Sequence, residues 1–263
     1  MDGGAGTDTV AFQNAQTHTA TTLAGIVNTE VWTLPQDSNF TISDAVLTNN
    51  PGLAISIAGN GTLSGGEDTA GAALMTQSIN VTATAAGNLK LIGSSAADTF
   101  TFYATESLTA DDTIDGNAGE DIIYVVNDDD KNAVGDSTTA AFGANTKGIE
   151  KIVVTDAAAD DTAGDVTINI ANGYLDTALT IDGSSLDMNS VDLTAEERLT
   201  VSSSDVNVKL TILGGSGADD ITTNAGADHI TLNGGNDSVA SGDGADTIYG
   251  GAGIDSIRGE AGT

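Results

Sequence analysis

The sequence predicts an all-β chain wound as a parallel solenoid. Three observations carry that reading: a strict nine-residue repeat from Gly214 onward, short β-branched alternations through the rest, and 33 glycines against 2 prolines in 263 residues. Glycine without proline favours tight turns between strands whose N–H groups are all available for ladders.

Upstream of Gly214 the strands announce themselves as period-two alternations. They are Phe40-Thr41-Ile42, Ile55-Ser56-Ile57, Ile79-Asn80-Val81, Leu89-Lys90-Leu91, Val166–Ile170, Leu179-Thr180-Ile181, Leu199-Thr200-Val201 and Leu210-Thr211-Ile212. Turn residues separate them, as short strands require. No stretch shows a 3.6-residue apolar period, and Leu193 to Leu199 offers one helical turn at most. Acid-rich, glycine-rich chains are often disordered, but 39% of this one is apolar and placed in pattern, which argues for folding.

Composition excludes several classes of function. With 38 acidic against 7 basic residues the formal net charge is −31, the wrong sign for nucleic acid or an anionic membrane surface. Cysteine is absent, so disulfides, thiolate nucleophiles and thiolate zinc sites are excluded. Aromatics are 4%, with Trp32 the single tryptophan, too few for a stacking platform. No apolar run reaches the roughly 18 residues of a spanning helix, so no direct membrane insertion is expected. Nor does a charged-then-apolar leader follow Met1; a secretory signal is expected elsewhere in a longer parent.

From Gly214 the nonapeptides run without a gap: GGSGADDIT, TNAGADHIT, LNGGNDSVA, SGDGADTIY, GGAGIDSIR, then GEAGT. Position four is Gly in each complete unit (Gly217, Gly226, Gly235, Gly244, Gly253). Position six is Asp (Asp219, Asp228, Asp237, Asp246, Asp255), and position eight is Ile or Val (Ile221, Ile230, Val239, Ile248, Ile257). Six Gly- and Asn-rich residues make a turn, and three make a short strand with one inward side chain. Two units then complete one coil. Units one, three and five stack on one edge, bringing Asp219, Asp237 and Asp255 into a column, while Asp228 and Asp246 form the other.

Such columns need a counter-charge. Residues 214–263 hold eight acids against one arginine, and stacked carboxylates would repeat at about 4.8 Å. A hard cation with oxygen ligands is the natural bridge. Calcium takes about 6–8 oxygens in flexible geometry, main-chain carbonyls included; magnesium demands a tighter octahedron and is second choice.

These units resemble the RTX, or hemolysin-type, calcium-binding nonapeptide G-G-x-G-x-D-x-U-x, whose family folds as a parallel β-roll. The resemblance implies a parallel β-solenoid or β-roll with calcium-binding nonapeptide turns and several calcium ions. Each ion would sit between the turns of units n and n+2, held by the position-six carboxylates and by carbonyls of the first four positions. Carried over, Asp219 with Asp237, Asp237 with Asp255, and Asp228 with Asp246 would bracket ions. The accompanying carbonyls would come from Gly214, Ser216, Gly217, Leu232, Gly234, Gly235, Ser241, Asp243, Gly244, Gly250, Ala252 and Gly253. Thr223 and Leu232 depart from the first Gly, and Asn224 and Asn233 from the second.

Single units occur upstream: GGAGTDTVA with Asp8, GSSAADTFT with Asp98, a partial unit with Asp112, and GNAGEDIIY with Asp121. These four aspartates are further candidate calcium ligands. Aligning the units exposes a long duplication, in which GIVNTEVWTL corresponds to GIEKIVV, AISIAGNG to ALTIDGSS, and INVTATAAGNLKLIGSSAAD to LTVSSSDVNVKLTILGGSGAD. The chain therefore divides into 1–106, a first long β-solenoid repeat with an RTX-type turn, 107–213, a second, and 214–263, the nonapeptide β-roll. Repeat material at both ends suggests an internal piece of something longer.

Other constellations are weak. His229 lies at an outward position of a unit, and His18 in a threonine-rich stretch; no Gly-x-Ser-x-Gly accompanies them. The glycine-rich turns lack the Gly-Lys-Ser/Thr of a phosphate cradle, and their Asp would repel phosphate. No enzymatic activity is expected. Asp128–Asp130 and the acids between Asp156 and Asp165 are read as solvated loops, and Trp32 as a packing residue. Thr17–Thr22 lacks the regular repeat of a surface-binding array.

Architecture and composition resemble RTX-containing bacterial S-layer and giant surface proteins. That resemblance implies a secreted, cell-surface, calcium-dependent structural segment, exported by type I secretion and self-associating or joining other surface-layer components. An adhesin stalk, or the non-catalytic carrier part of a type I secreted enzyme, shares the same solenoid.

Overall fold

The computed structural model describes residues 1–65, 75–84, 87–103, 108–127, 138–156, 165–171, 173, 178–186, 197–204 and 208–260. The strand pairs among the described residues are parallel, and most strands pair with the next but one along the chain, as a solenoid with two strands per coil requires. Around residues 113–170 the step is three, as Thr113–Asp115 pairs with Thr146–Lys147 and Thr138–Phe142 with Val166–Ile170. Seven of the eight alternations named above lie wholly in strands, and in the eighth the strand starts at Asn80, one residue after Ile79.

Two compact units divide the chain by packing. One is Met1–Phe102 with Asp111–Ile123 and Asn145–Ile149; the other is Tyr103–Ala110, Tyr124–Ala144 and Glu150–Thr263. In the first, Thr9–Ala11, Val31–Leu34, Ala54–Ile57, Asn80–Ala83 and Thr99–Tyr103 follow one another in one sheet. Thr17–His18, Ser38–Ile42, Gly61–Gly65, Leu89–Ile92, Thr113–Asp115 and Thr146–Lys147 form a second. Register places Val10, Trp32, Ile55, Val81 and Phe100 in one buried column, and Phe40, Leu63, Leu91 and Ile114 in another. Trp32 is fully buried, and its Nε1 donates to Thr29 Oγ1 at 2.8 Å, which fits its reading as a packing residue. His18 lies in a strand with its ring against Phe12 and Phe40.

In the second unit one sheet runs through Lys151–Asp156, Ala178–Asp182, Lys209–Leu213, His229–Thr231 and Thr247–Tyr249. The other runs through Thr138–Phe142, Val166–Ile170, Leu199–Ser203, Asp220–Thr222, Ser238–Gly242 and Ser256–Gly259. Its early rungs bury two or three side chains each, such as Val166, Ile168 and Ile170. From Asp220 onward the three-residue rungs bury only Ile221 or Ile230. The nonapeptide coils thus have a thinner core, and their turns carry more of the stacking.

Two features differ from the sequence reading. Helices occur at Ala20–Leu23 and Asp44–Asn49. Both are too short for a helical period to show; the first is fixed by a Thr19–Thr22 capping box. Secondly, the most closely matching stretches of the duplication stack differently. Asn80–Ala83 pairs with Ala54–Ile57, whereas Leu199–Ser203 pairs with Val166–Ile170 and not with Ala178–Asp182. A period-two rung fits either sheet, so the extra strand Gly61–Gly65 displaces its successors by half a coil without disturbing their pattern. Asp128–Asp130, Asp160, Asp161 and residues 193–196 lie outside the described residues, while Asp165 pairs with Arg198 at 2.8 Å.

Candidate metal centre

Each position-six aspartate immediately precedes a strand, where the parallel ladder leaves one backbone N–H of the preceding coil to be satisfied. The carboxylate takes it. Leu199 N–H donates to Asp219 Oδ1 (2.9 Å), Asp219 N–H to Asp237 Oδ1 (2.9 Å) and Asp237 N–H to Asp255 Oδ1 (3.2 Å). On the opposite edge Leu210 N–H donates to Asp228 Oδ1 (2.8 Å) and Asp228 N–H to Asp246 Oδ1 (3.0 Å). Both columns therefore exist as continuous carboxylate–amide chains. Upstream, Ile79 N–H reaches Asp98 Oδ1, Asp98 N–H reaches Asp121 Oδ1, and Leu89 N–H reaches Asp112 Oδ1, each at 2.7 Å. The link from Asp98 to Asp121 was not legible in the spacing.

The second carboxylate oxygen separates two classes of turn. Asp98 Oδ2 accepts Ser94 N–H (2.6 Å), and Asp219 Oδ2 accepts Gly215 N–H (3.0 Å), so these turns close on their own main chain. In contrast, Asp8, Asp228 and Asp237 each keep a buried Oδ2 with no hydrogen-bond partner. The Thr223 hydroxyl, beside Asp228, spends its proton on Ser241 O at 2.8 Å.

Backbone conformation divides the turns almost identically. Positions two and four have positive φ at Gly4 and Gly6, Asn117 and Gly119, Asn233 and Gly235, Gly242 and Gly244, and Gly251 and Gly253. The turns at 93–98, 214–219 and 223–228 lack these values. The turn at 214–219 stacks on the nonapeptide 232–237 on one side only; on the other it lies against Leu186 and Glu197, since a Cβ on Gly215 or Gly217 would overlap their carbonyl oxygens.

Carbonyl oxygens fill the space between stacked turns. A Cβ on Gly235 would overlap Gly217 O, one on Gly253 would overlap Gly235 O, and one on Gly244 would overlap Gly226 O. At position two, Gly242 and Gly251 stand likewise against Asn224 O and Asn233 O, carbonyls outside the sequence-derived set. Gly234 has Ser216 O and Ala252 O on either side, at 3.8 and 3.9 Å from a Cβ. Of the remaining expected carbonyls, those of Gly214, Ser241, Asp243 and Ala252 each accept a hydrogen bond, and a carbonyl oxygen carries two lone pairs. Gly214 and Gly250 lie against the Asp219 and Asp255 carboxylates, and the Leu232 side chain is fully buried.

Electrostatically the columns are strained as they stand. Burial pushes the Asp219 carboxyl up to about 7, opposed by the Leu199 N–H and aided by the Asp237 charge. Burial also raises Asp98, Asp228 and Asp237 above the ordinary carboxylate range. Among the described residues no three acidic or imidazole side chains converge on one point. The donor set is instead paired carboxylates and main-chain carbonyls, all oxygen, which fits calcium. An ion there supplies the counter-charge that the lone arginine of this segment cannot.

Fold and site together define a parallel β-roll whose acidic turns bind calcium. The family described as the RTX calcium-binding nonapeptide repeat (4 copies) matches residues 108–131, 213–248 and 241–263, and these residues carry RTX repeats. Its repeats bind calcium ions. Asp112, Asp121 and all five C-terminal position-six aspartates fall within the matches; Asp8 and Asp98 fall outside them. No curated protein and no solved structure matches the chain.

Proposed function

We propose that this chain is a calcium-ordered, non-catalytic structural segment of a secreted bacterial surface protein, assembling in an S-layer-like manner. The buried, unpartnered Oδ2 of Asp237 carries the reading, because a stacked carboxylate in that setting requires a cation and extracellular calcium supplies one. Where calcium is scarce the acidic turns repel one another, which suits export as an unfolded chain; abundant external calcium then folds them.

Assembly follows from the same charge. Each bound ion offsets two units of the net charge of −31, which lowers the repulsion between neighbouring molecules. Light scattering across a calcium titration tests this. Calcium-dependent oligomers that dissolve in chelator support the surface-layer reading. A strict monomer at saturating calcium and high protein concentration favours a stalk or a carrier segment instead.

A further inference from the structure

Outside the matched repeats, the turn Gly3–Asp8 has the backbone of a complete nonapeptide turn, with φ of 91° at Gly4 and 126° at Gly6. Among the described residues it stacks on no other nonapeptide. Its neighbour is the segment Gly25–Glu30, and the register Thr9↔Val31 sets Asp8 directly against Glu30 one coil away. Asp8 N–H donates to Glu30 Oε2 at 2.8 Å, the same bond that Asp219 makes to Asp237. Glu30 therefore occupies the place of a position-six aspartate in a segment that lacks the motif.

Three donors meet at this junction. Asp8 Oδ2 exposes less than 1 Å² and has no hydrogen-bond partner. A Cβ on Gly3 would lie 3.0 Å from the Asp8 carboxyl carbon and would overlap Asn28 O, so carboxylate and carbonyl converge on the same glycine. Asn28 itself has φ 52°, the left-handed conformation that turns its carbonyl out of the ladder. No lysine or arginine occurs before Lys90 in the sequence, and the N-terminal ammonium is spent on Gly25 O at 2.8 Å. Asp8 is half-buried, and its one buried carboxylate oxygen, without a donor or a basic neighbour, calls for another cation.

We infer that Asp8, Glu30 and the carbonyl of Asn28 form a separate divalent-cation site of the calcium class, in which Glu30 replaces the aspartate of the repeat. This deepens the calcium-binding reading and rests on it. The ion clasps the first coil to the second, where Thr9–Ala11 buries only Val10.

Terbium, a calcium mimic with oxygen preference, tests the site in the full chain. Trp32, two residues from Glu30, is the only tryptophan, so excitation at the red edge of tryptophan absorption reports selectively on an ion near this junction. The expected result is tryptophan-sensitised terbium emission that calcium displaces. Asp8→Asn and Glu30→Gln should each reduce it at least about tenfold while circular dichroism in calcium stays unchanged; the amide oxygen of Gln can still accept the Asp8 N–H. Asp37→Asn, at a different turn, should leave the emission intact. A calorimetric calcium count should fall by one ion in Glu30→Gln. Absent emission with the C-terminal ions still counted, or emission unchanged in both variants, overturns this site alone. No calcium bound anywhere overturns the wider reading.

Discussion

The backbone N–H of Asp219 donates to Oδ1 of Asp237, 18 residues ahead and one coil along, at 2.9 Å. Asp237 N–H repeats the bond to Asp255 at 3.2 Å. Asp228 and Asp237 thus divide their two carboxylate oxygens, one for the ladder and one left for an ion. This accounts for aspartate at position six: asparagine would keep the acceptor and lose the charge.

Asp237→Ala removes both functions from a turn sandwiched between two others. In calcium we expect the bound-ion count to fall further than in Asp255→Ala. Folding should weaken by about 1–3 kcal/mol from the unpaired Asp219 N–H alone. Asp237→Asn should keep most of that stability and still lose calcium. Isothermal calorimetry with urea titration separates the two effects; equal losses in Asn and Ala variants would contradict the division of labour.

Gly244 has φ 145°, and a Cβ there would strike Gly226 O. Gly244→Ala should cost at least about 1 kcal/mol and weaken calcium binding on the Asp228–Asp246 edge. Gly25→Ala, where nothing lies within 4 Å, should stay within about 0.5 kcal/mol of the parent. Urea midpoints in saturating calcium decide between them.

Acid and calcium should act in opposite directions. In the folded, metal-free chain Asp219 is raised to about 7 from 3.8, mainly by burial, so the folded state binds more protons than the unfolded state across that interval. The contribution of Asp219 to metal-free stability is therefore fully present below about pH 4 and is lost as pH rises through about 7. Calcium binds only the ionised carboxylates, so calcium-loaded stability should rise with pH over the same window, with protons released on binding. Denaturant midpoints at both ends of the window, with and without calcium, check the two slopes. Parallel slopes would contradict the assignment.

The rungs upstream of the nonapeptides should behave differently. Ile181 is fully buried between Ile152 and Ile212. Ile181→Ala should cost about 2–5 kcal/mol in calcium and in chelator alike, with no change in ion count. A loss confined to the calcium form would show that the upstream core depends on metal.

Much of this was legible in the residues. Fixed columns of Gly, Asp and Ile defined the coil, and with it the pairing of Asp219 with Asp237 and of Asp228 with Asp246. Glu30 was not, because its role depends on the register Thr9↔Val31 rather than on any local motif. Neither was the closing of Asp98 and Asp219 on the N–H groups of Ser94 and Gly215, which local sequence does not distinguish from an ion-ready turn. The half-coil displacement after Gly61–Gly65 was hidden too, since alternation repeats every two residues and carries no label for the sheet it joins.

Amide hydrogen exchange on the full chain, with calcium and with chelator, tests the central claim most directly: the nonapeptide turns are ordered by ions between them. The amides of Asp228, Asp237, Ser238 and Thr247 donate across stacked coils to carboxylates or carbonyls of the repeat edges. They should be protected in calcium and exchange freely in chelator, while Ile168 and Ile181 remain protected in both. Equal protection of the repeat amides in the two conditions would contradict it.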